Sequence, residues 1–126
     1  MIDDWSKYAN FSKWEFDCST TNENNMNPYF MTKLQELRDR YGKSISISSG
    51  FRSVKHPAEV KKKNGGGYHT KGLACDIPCY GNEAITLIQL ALAVGFTGIG
   101  VSQRKGKPRY IHLDLRPIDD KTIWSY

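Results

Sequence analysis

The stretch N-G-G-G-Y-H-T-K-G-L-A-C-D-I-P-C, Asn64 to Cys79, changes character halfway along. Gly65, Gly66 and Gly67 permit backbone angles closed to other residues, or the close approach of a ligand. From Leu73 to Ile77 the pattern alternates, with Leu73, Cys75 and Ile77 on one face and Ala74 and Asp76 on the other. Read as a strand, this segment buries its apolar face and projects a carboxylate from the opposite one. His69 sits in the turn seven residues before Asp76. A histidine and a carboxylate held this way supply two of the three protein ligands of an open zinc site.

A third candidate lies in R-Y-I-H-L-D-L, Arg109 to Leu115, which also alternates. Ile111, Leu113 and Leu115 read as inward, and Tyr110, His112 and Asp114 as outward. If the two strands share a core face, Asp76 and His112 emerge together, and His69 folds over from its turn to meet them. Two neutral imidazoles and one carboxylate would bind one zinc per chain at about 2.0–2.2 Å and keep a fourth position for water. Such a water is deprotonated near neutral pH and attacks a polarised carbonyl. Spacing alone leaves open the ordinary reading of hydrogen-bonding histidines. Cysteine ligation is disfavoured, because Cys75 adjoins Asp76 in the strand and points the other way.

Around these strands the sequence predicts further elements. Ser12 followed by Glu15 is a capping-box pattern that starts a short helix, with Phe11 and Phe16 as anchors. Ser19 to Asn27 reads as a loop. Asn27 as N-cap and Pro28 at the first position open a helix with Phe30, Leu34, Leu37 and Tyr41 on one face, ended by Gly42. Ser44 to Ser48 alternates and reads as a half-buried strand, Ile45 and Ile47 inward, with Arg52 just past its end. Pro57 opens a short helix, and Lys61 to Lys63 read as a solvated face. A helix from Glu83 to Val94, apolar on several sides and so well buried, stops at Gly95. Phe96 to Val101 reads as a short strand, Ser102 to Pro108 as a hairpin turn, and Trp124 in the tail as packing back on the body. Strands and helices mix without regular alternation, so the expected fold is α+β, a small, mainly antiparallel sheet packed against helices in a single domain, 1–126.

Composition narrows the function classes. The chain has 126 residues, 39% hydrophobic and 25% charged, as in globular proteins. No apolar run approaches the roughly 18 residues of a membrane span. The start M-I-D-D-W-S-K-Y lacks a secretory pattern, so synthesis in the cytosol is expected. Three cysteines, Cys18, Cys75 and Cys79, make an odd count and read as reduced, mostly buried thiols. The net charge of +5 favours anionic surroundings: cell-wall polymer, nucleic acid or acidic lipid. Lys61 to Lys63, Arg104, Lys105 and Lys107 could serve a nucleic-acid binder, but no recognition motif or interleaved aromatics accompany them, and none is expected.

Three motifs in order carry a resemblance: S-S-G-F-R (Ser48 to Arg52), H-x-x-G-L-A-C-D-I (His69 to Ile77) and Y-I-H-L-D (Tyr110 to Asp114). Together they resemble the zinc D-alanyl-D-alanine carboxypeptidase and L-alanyl-D-glutamate endopeptidase family, which includes phage endolysins and has the hedgehog domain as a distant structural relative. The resemblance implies a zinc metallopeptidase acting on the peptidoglycan stem peptide, as a monomer, on the cell wall after release or as a virion component. It implies His69, Asp76 and His112 as zinc ligands, and Arg52 as the arginine that binds a substrate carboxylate or the oxyanion. The chain departs from relatives at Gly67, where many have serine, and at Tyr110, where some have histidine. No Asp, Glu or His lies in Gln103 to Ile111, so the general base falls to Asp114 or Glu59. Asp114 could instead orient a ligand or pair with Arg116. Tyr110 could bond the tetrahedral intermediate or simply line the cleft, and His56, just before Pro57, reads as a loop residue. The alternative is a catalytically inactive, zinc-stabilised binding module on the same fold.

Overall fold

The computed structural model describes residues 1–62 and 66–126. Lys63 of the expected solvated face, and Asn64 and Gly65 of the glycine-rich turn, lie outside the described residues. The chain begins with two short 3-10 turns, Trp5–Lys7 and Lys13–Phe16. The second starts at Ser12, whose backbone N–H donates to the Glu15 carboxylate at 2.7 Å. Phe11 and Phe16 anchor it in the core, as expected.

Helix α1, Pro28–Tyr41, follows its sequence signals closely. The Asn27 side chain accepts from the N–H groups of Tyr29 and Phe30 at 2.8 and 3.1 Å, and Gly42 ends the helix at φ +72°. Phe30, Met31, Leu34 and Leu37 form its buried stripe. Helix α2 is a single turn, Pro57–Val60. A 3-10 turn at Tyr68–Lys71 carries His69 and closes at Gly72. There φ is +70°, and a Cβ would overlap the backbone carbonyl of Asn25.

Four strands form one sheet in the order β1-β3-β2-β4. They are β1 Ala74–Pro78, β2 Gly98–Ser102, β3 Tyr110–Asp114 and β4 Thr122–Ser125. Helix α3, Gly81–Val94, connects β1 to β2 and packs beside α1. β3 lies antiparallel between β1 and β2, and β4 adds in parallel to β2. The result is an α+β fold with a mostly antiparallel sheet. Cys75, Ile77, Ile111 and Leu113 face the helices and are buried. All three cysteines are buried free thiols. Among the described residues no helix is long and apolar enough to cross a membrane.

Three expectations need correction. Ser44 to Ser48 forms no regular strand, because the segment meets β1 only through one bridge, Ser49 to Asp76. Its burial still alternates, with Ile45 inside and Ser44 and Ser46 outside. Helix α3 is less buried than its composition implies. Its Ala84–Leu87–Ala91–Val94 face is buried and Ile88 and Leu90 are partly covered, while Ile85 and Leu92 are exposed. The tail does more than pack back: it becomes β4, an edge strand.

Candidate metal centre

Register brings two candidate ligands together. Asp76 and His112 are direct partners across the β1–β3 pair, so their side chains leave the same face side by side. The 3-10 turn then lowers His69 onto them. The donor atoms of His69, Asp76 and His112 all lie within 4.8 Å of one another. Asp76 Oδ1 is 3.3 Å from His69 Nε2 and 3.1 Å from His112 Nδ1. All three residues are buried.

Each imidazole is also held from behind. His69 Nδ1 lies 2.8 Å from the Gly50 carbonyl, which can only accept, so Nδ1 carries the proton and Nε2 faces the cluster with a lone pair. His112 Nε2 lies 2.7 Å from Asp114 Oδ2, leaving Nδ1 toward Asp76. Such outer hydrogen bonds fix the tautomer and plane of metal-ligating histidines. Asp114 is fully buried, and Arg116 donates to it from Nε and Nη2 at 3.0 and 2.8 Å. Both its oxygens are therefore engaged. It sits over Gly98 of β2, where a Cβ would overlap the carboxylate.

Electrostatics follow from this packing. Burial alone would raise the Asp76 carboxyl, but the adjoining His112 and His69 imidazoles outweigh it and hold the pKa well below the carboxylate range. The same contest over Asp114, against bonds from His112 and Arg116, leaves it at about 2. Burial lowers the basicity of His112, yet its two carboxylate neighbours raise it overall.

Arg52 reaches the centre from the loop after the Ser49 bridge. Its Nε donates to Ser49 Oγ at 3.0 Å, Nη1 to Glu59 at 3.0 Å and Nη2 to Asp76 Oδ2 at 3.3 Å. Glu59, the second base candidate, is buried behind it and also bonds the Gly67 N–H and Lys62. Burial pushes Glu59 up, but these bonds bring it down to about 2. Lys62, expected as solvated surface, is half-exposed and pairs with Glu59 at 3.2 Å. Gly67 thus offers Glu59 its backbone N–H, and a Cβ there would meet Lys62 Nζ at 3.0 Å.

A cleft of about 500 Å³ opens over the cluster, lined by Arg52, Tyr110 and His112 among others. Asp114 lines its floor, while His56 stands apart and caps α2 by accepting from the Ala58 N–H at 3.0 Å. Sequence reasoning did not anticipate Tyr68, Trp124 and Tyr126 as cleft residues. One signal was available for Trp124: Gly100 inside a strand marks close approach by another group, and a Cβ there would meet the indole at 2.8 Å.

Two imidazoles and a carboxylate beneath an open cleft are the donor set of a hydrolytic metal centre. Residues 7–114 match the family described as Peptidase M15, and the chain belongs to that family. It is a zinc metallopeptidase by that membership, and its His-Asp-His cluster could hold the metal ion. No curated protein matches the chain.

Proposed function

We propose that the chain binds one zinc ion through His69 Nε2, Asp76 Oδ1 and His112 Nδ1 and hydrolyses a peptide bond in the peptidoglycan stem, as an endolysin or virion component does. The observation that carries this reading is the convergence of three donors whose two imidazoles are tied back on their far nitrogens. Zinc bonds of 2.0–2.1 Å in a tetrahedron place neighbouring donors about 3.3 Å apart. The separations of 3.1 and 3.3 Å around Asp76 Oδ1 fit that edge. Zinc bound there would supply a Lewis acid and lower the pKa of water toward neutrality.

The remaining roles belong to the chain's own residues. Asp114 orients His112, since its engaged oxygens leave it poorly placed to take a proton from substrate or water. Glu59 is committed to Arg52, Lys62 and Gly67 in the same way. Three of the five Arg52 N–H donors are engaged, leaving others for a substrate carboxylate or for the carbonyl oxygen as it becomes negative. Burial and the Asp76 charge keep the Tyr110 phenol protonated, so it is a second donor to that oxygen. Arg52, Lys62 and Arg116 around the cleft suit a peptide that carries carboxylates, and the net charge of +5 suits an anionic wall.

The test is mass spectrometry of purified peptidoglycan fragments after incubation with the protein, alongside metal analysis. About one zinc per chain and a single class of cleaved bond, either D-Ala-D-Ala or L-Ala-D-Glu, are expected. Undiminished cleavage by His112→Ala would defeat the assignment. Zinc retained without turnover on any fragment would favour the binding-module reading instead.

A further inference from the structure

One wall of the cleft is built by residues that come after the family match, which ends at Asp114. His112, Gly100 and Trp124 are successive register partners across β3, β2 and β4. Because Gly100 carries no side chain, the Trp124 indole leans across it until its ring centroid lies 5.0 Å from that of His112. The Arg116 guanidinium stacks on the same indole at 4.9 Å. Two residues further, the Tyr126 N–H donates to the Val101 carbonyl at 3.2 Å, and its ring meets Tyr110 at 5.3 Å. Both side chains line the cleft over the metal cluster.

We infer that Trp124 and Tyr126 form a specificity wall that admits only a small side chain beside the scissile bond. The inference rests on the peptidase reading above. A carbonyl brought to the His69–Asp76–His112 cluster carries its neighbouring side chain past the indole, since the indole already touches His112. Behind the indole lies the β2 backbone at Gly100, and the β2–β4 ladder holds Trp124 in register. A bulky side chain must therefore displace a supported aromatic ring, whereas a methyl group fits against its face. Tyr110 and Tyr126 continue the wall toward the hairpin, where their hydroxyls can meet the peptide backbone of an extended substrate.

The experiment compares two synthetic stem-type peptides that differ only in alanine or phenylalanine at the residue whose carbonyl is attacked. kcat/KM is measured on both for the wild type, Trp124→Ala and Tyr126→Ala, with zinc content recorded for each. The wild type should prefer alanine by more than ~100-fold, since even one misfitting methylene is worth about 10–200-fold. Trp124→Ala should retain its zinc and narrow that ratio at least ~10-fold, mainly by gaining on the phenylalanine peptide. An unchanged ratio in zinc-loaded Trp124→Ala overturns the wall and leaves the peptidase reading intact. A zinc-loaded wild type that cuts neither peptide strikes the peptidase reading itself, and the wall falls with it. If Trp124→Ala does not fold, Tyr126→Ala at an exposed position decides the matter. A narrowed ratio supports the wall and an unchanged one refutes it.

Discussion

The two faces of the β1–β3 pair are buried to nearly the same degree and do opposite work. On one, Cys75, Ile77, Ile111 and Leu113 pack against the helices; on the other, Asp76, His112 and Asp114 face His69 and the cleft. The first face needs only apolar volume. The second needs every polar atom matched, because an unpaired buried polar group costs about 1–3 kcal/mol. That condition is met: among the described residues no buried side-chain nitrogen or oxygen lacks a partner. Burial therefore does not distinguish scaffold from site in this molecule. Chemistry on alternate residues does.

Substitutions on adjacent residues of β3 should separate these two kinds of work. His112→Ala is expected to lose both zinc and peptide cleavage while keeping the sheet, as read by metal analysis and circular dichroism. Retained cleavage would show that the polar face is not the centre. Next door, Leu113→Ala should destabilise the fold by about 2–5 kcal/mol in urea melts. It should still bind zinc in proportion to the folded fraction. A Leu113→Ala protein of wild-type stability would break the division between the faces.

Acid titration probes the layer behind the polar face. The folded pKa of Glu59 is about 2, below its ordinary 4.5, so its contribution is fully present above pH 4.5 and is lost as pH falls through 2. That contribution amounts to at most about 3 kcal/mol. In Glu59→Gln, stability between these limits should depend less steeply on pH, and an unchanged slope would remove Glu59 from the network. Asp114→Asn should weaken zinc binding by about 10–100-fold, as lost outer-layer partners do. Unaltered affinity in a competition titration with a chelator would mean that Asp114 does not orient His112. The smallest effect lies far from both faces: Asn27→Ala should cost about 1 kcal/mol of stability through its lost cap, with no change in zinc binding.

Much of this was legible in the chain itself. The alternation through Leu73 to Ile77 and Tyr110 to Leu115 places Cys75 opposite Asp76, and Leu113 opposite His112 and Asp114. The ends of α1 follow from Asn27, Pro28 and Gly42, because capping is local chemistry. Elements that depend on a distant partner were not legible. Ile45 and Ile47 alternate as a strand does, yet a ladder needs a neighbour in reach, and β1 offers this segment only the Ser49 bridge. The apolar composition of α3 likewise says nothing about which flank another element covers, and Ile85 and Leu92 are left outside.

The site divides along the same line. Residue types and their period determined which side chains could serve a metal: a histidine in a glycine-flanked turn, and a carboxylate and a histidine on alternating strands. Those are properties of the local backbone, and local sequence carries them. Tertiary structure alone decided that Asp76 sits directly across from His112, that Gly50 and Asp114 orient the two imidazoles, and that Glu59 occupies Arg52. It also decided that Trp124 crosses Gly100 to reach His112. Each of these joins residues brought together by strand register and loop packing. Such contacts are set by the folded backbone as a whole: Gly100 in a strand marks that some group comes close, but nothing beside it singles out Trp124.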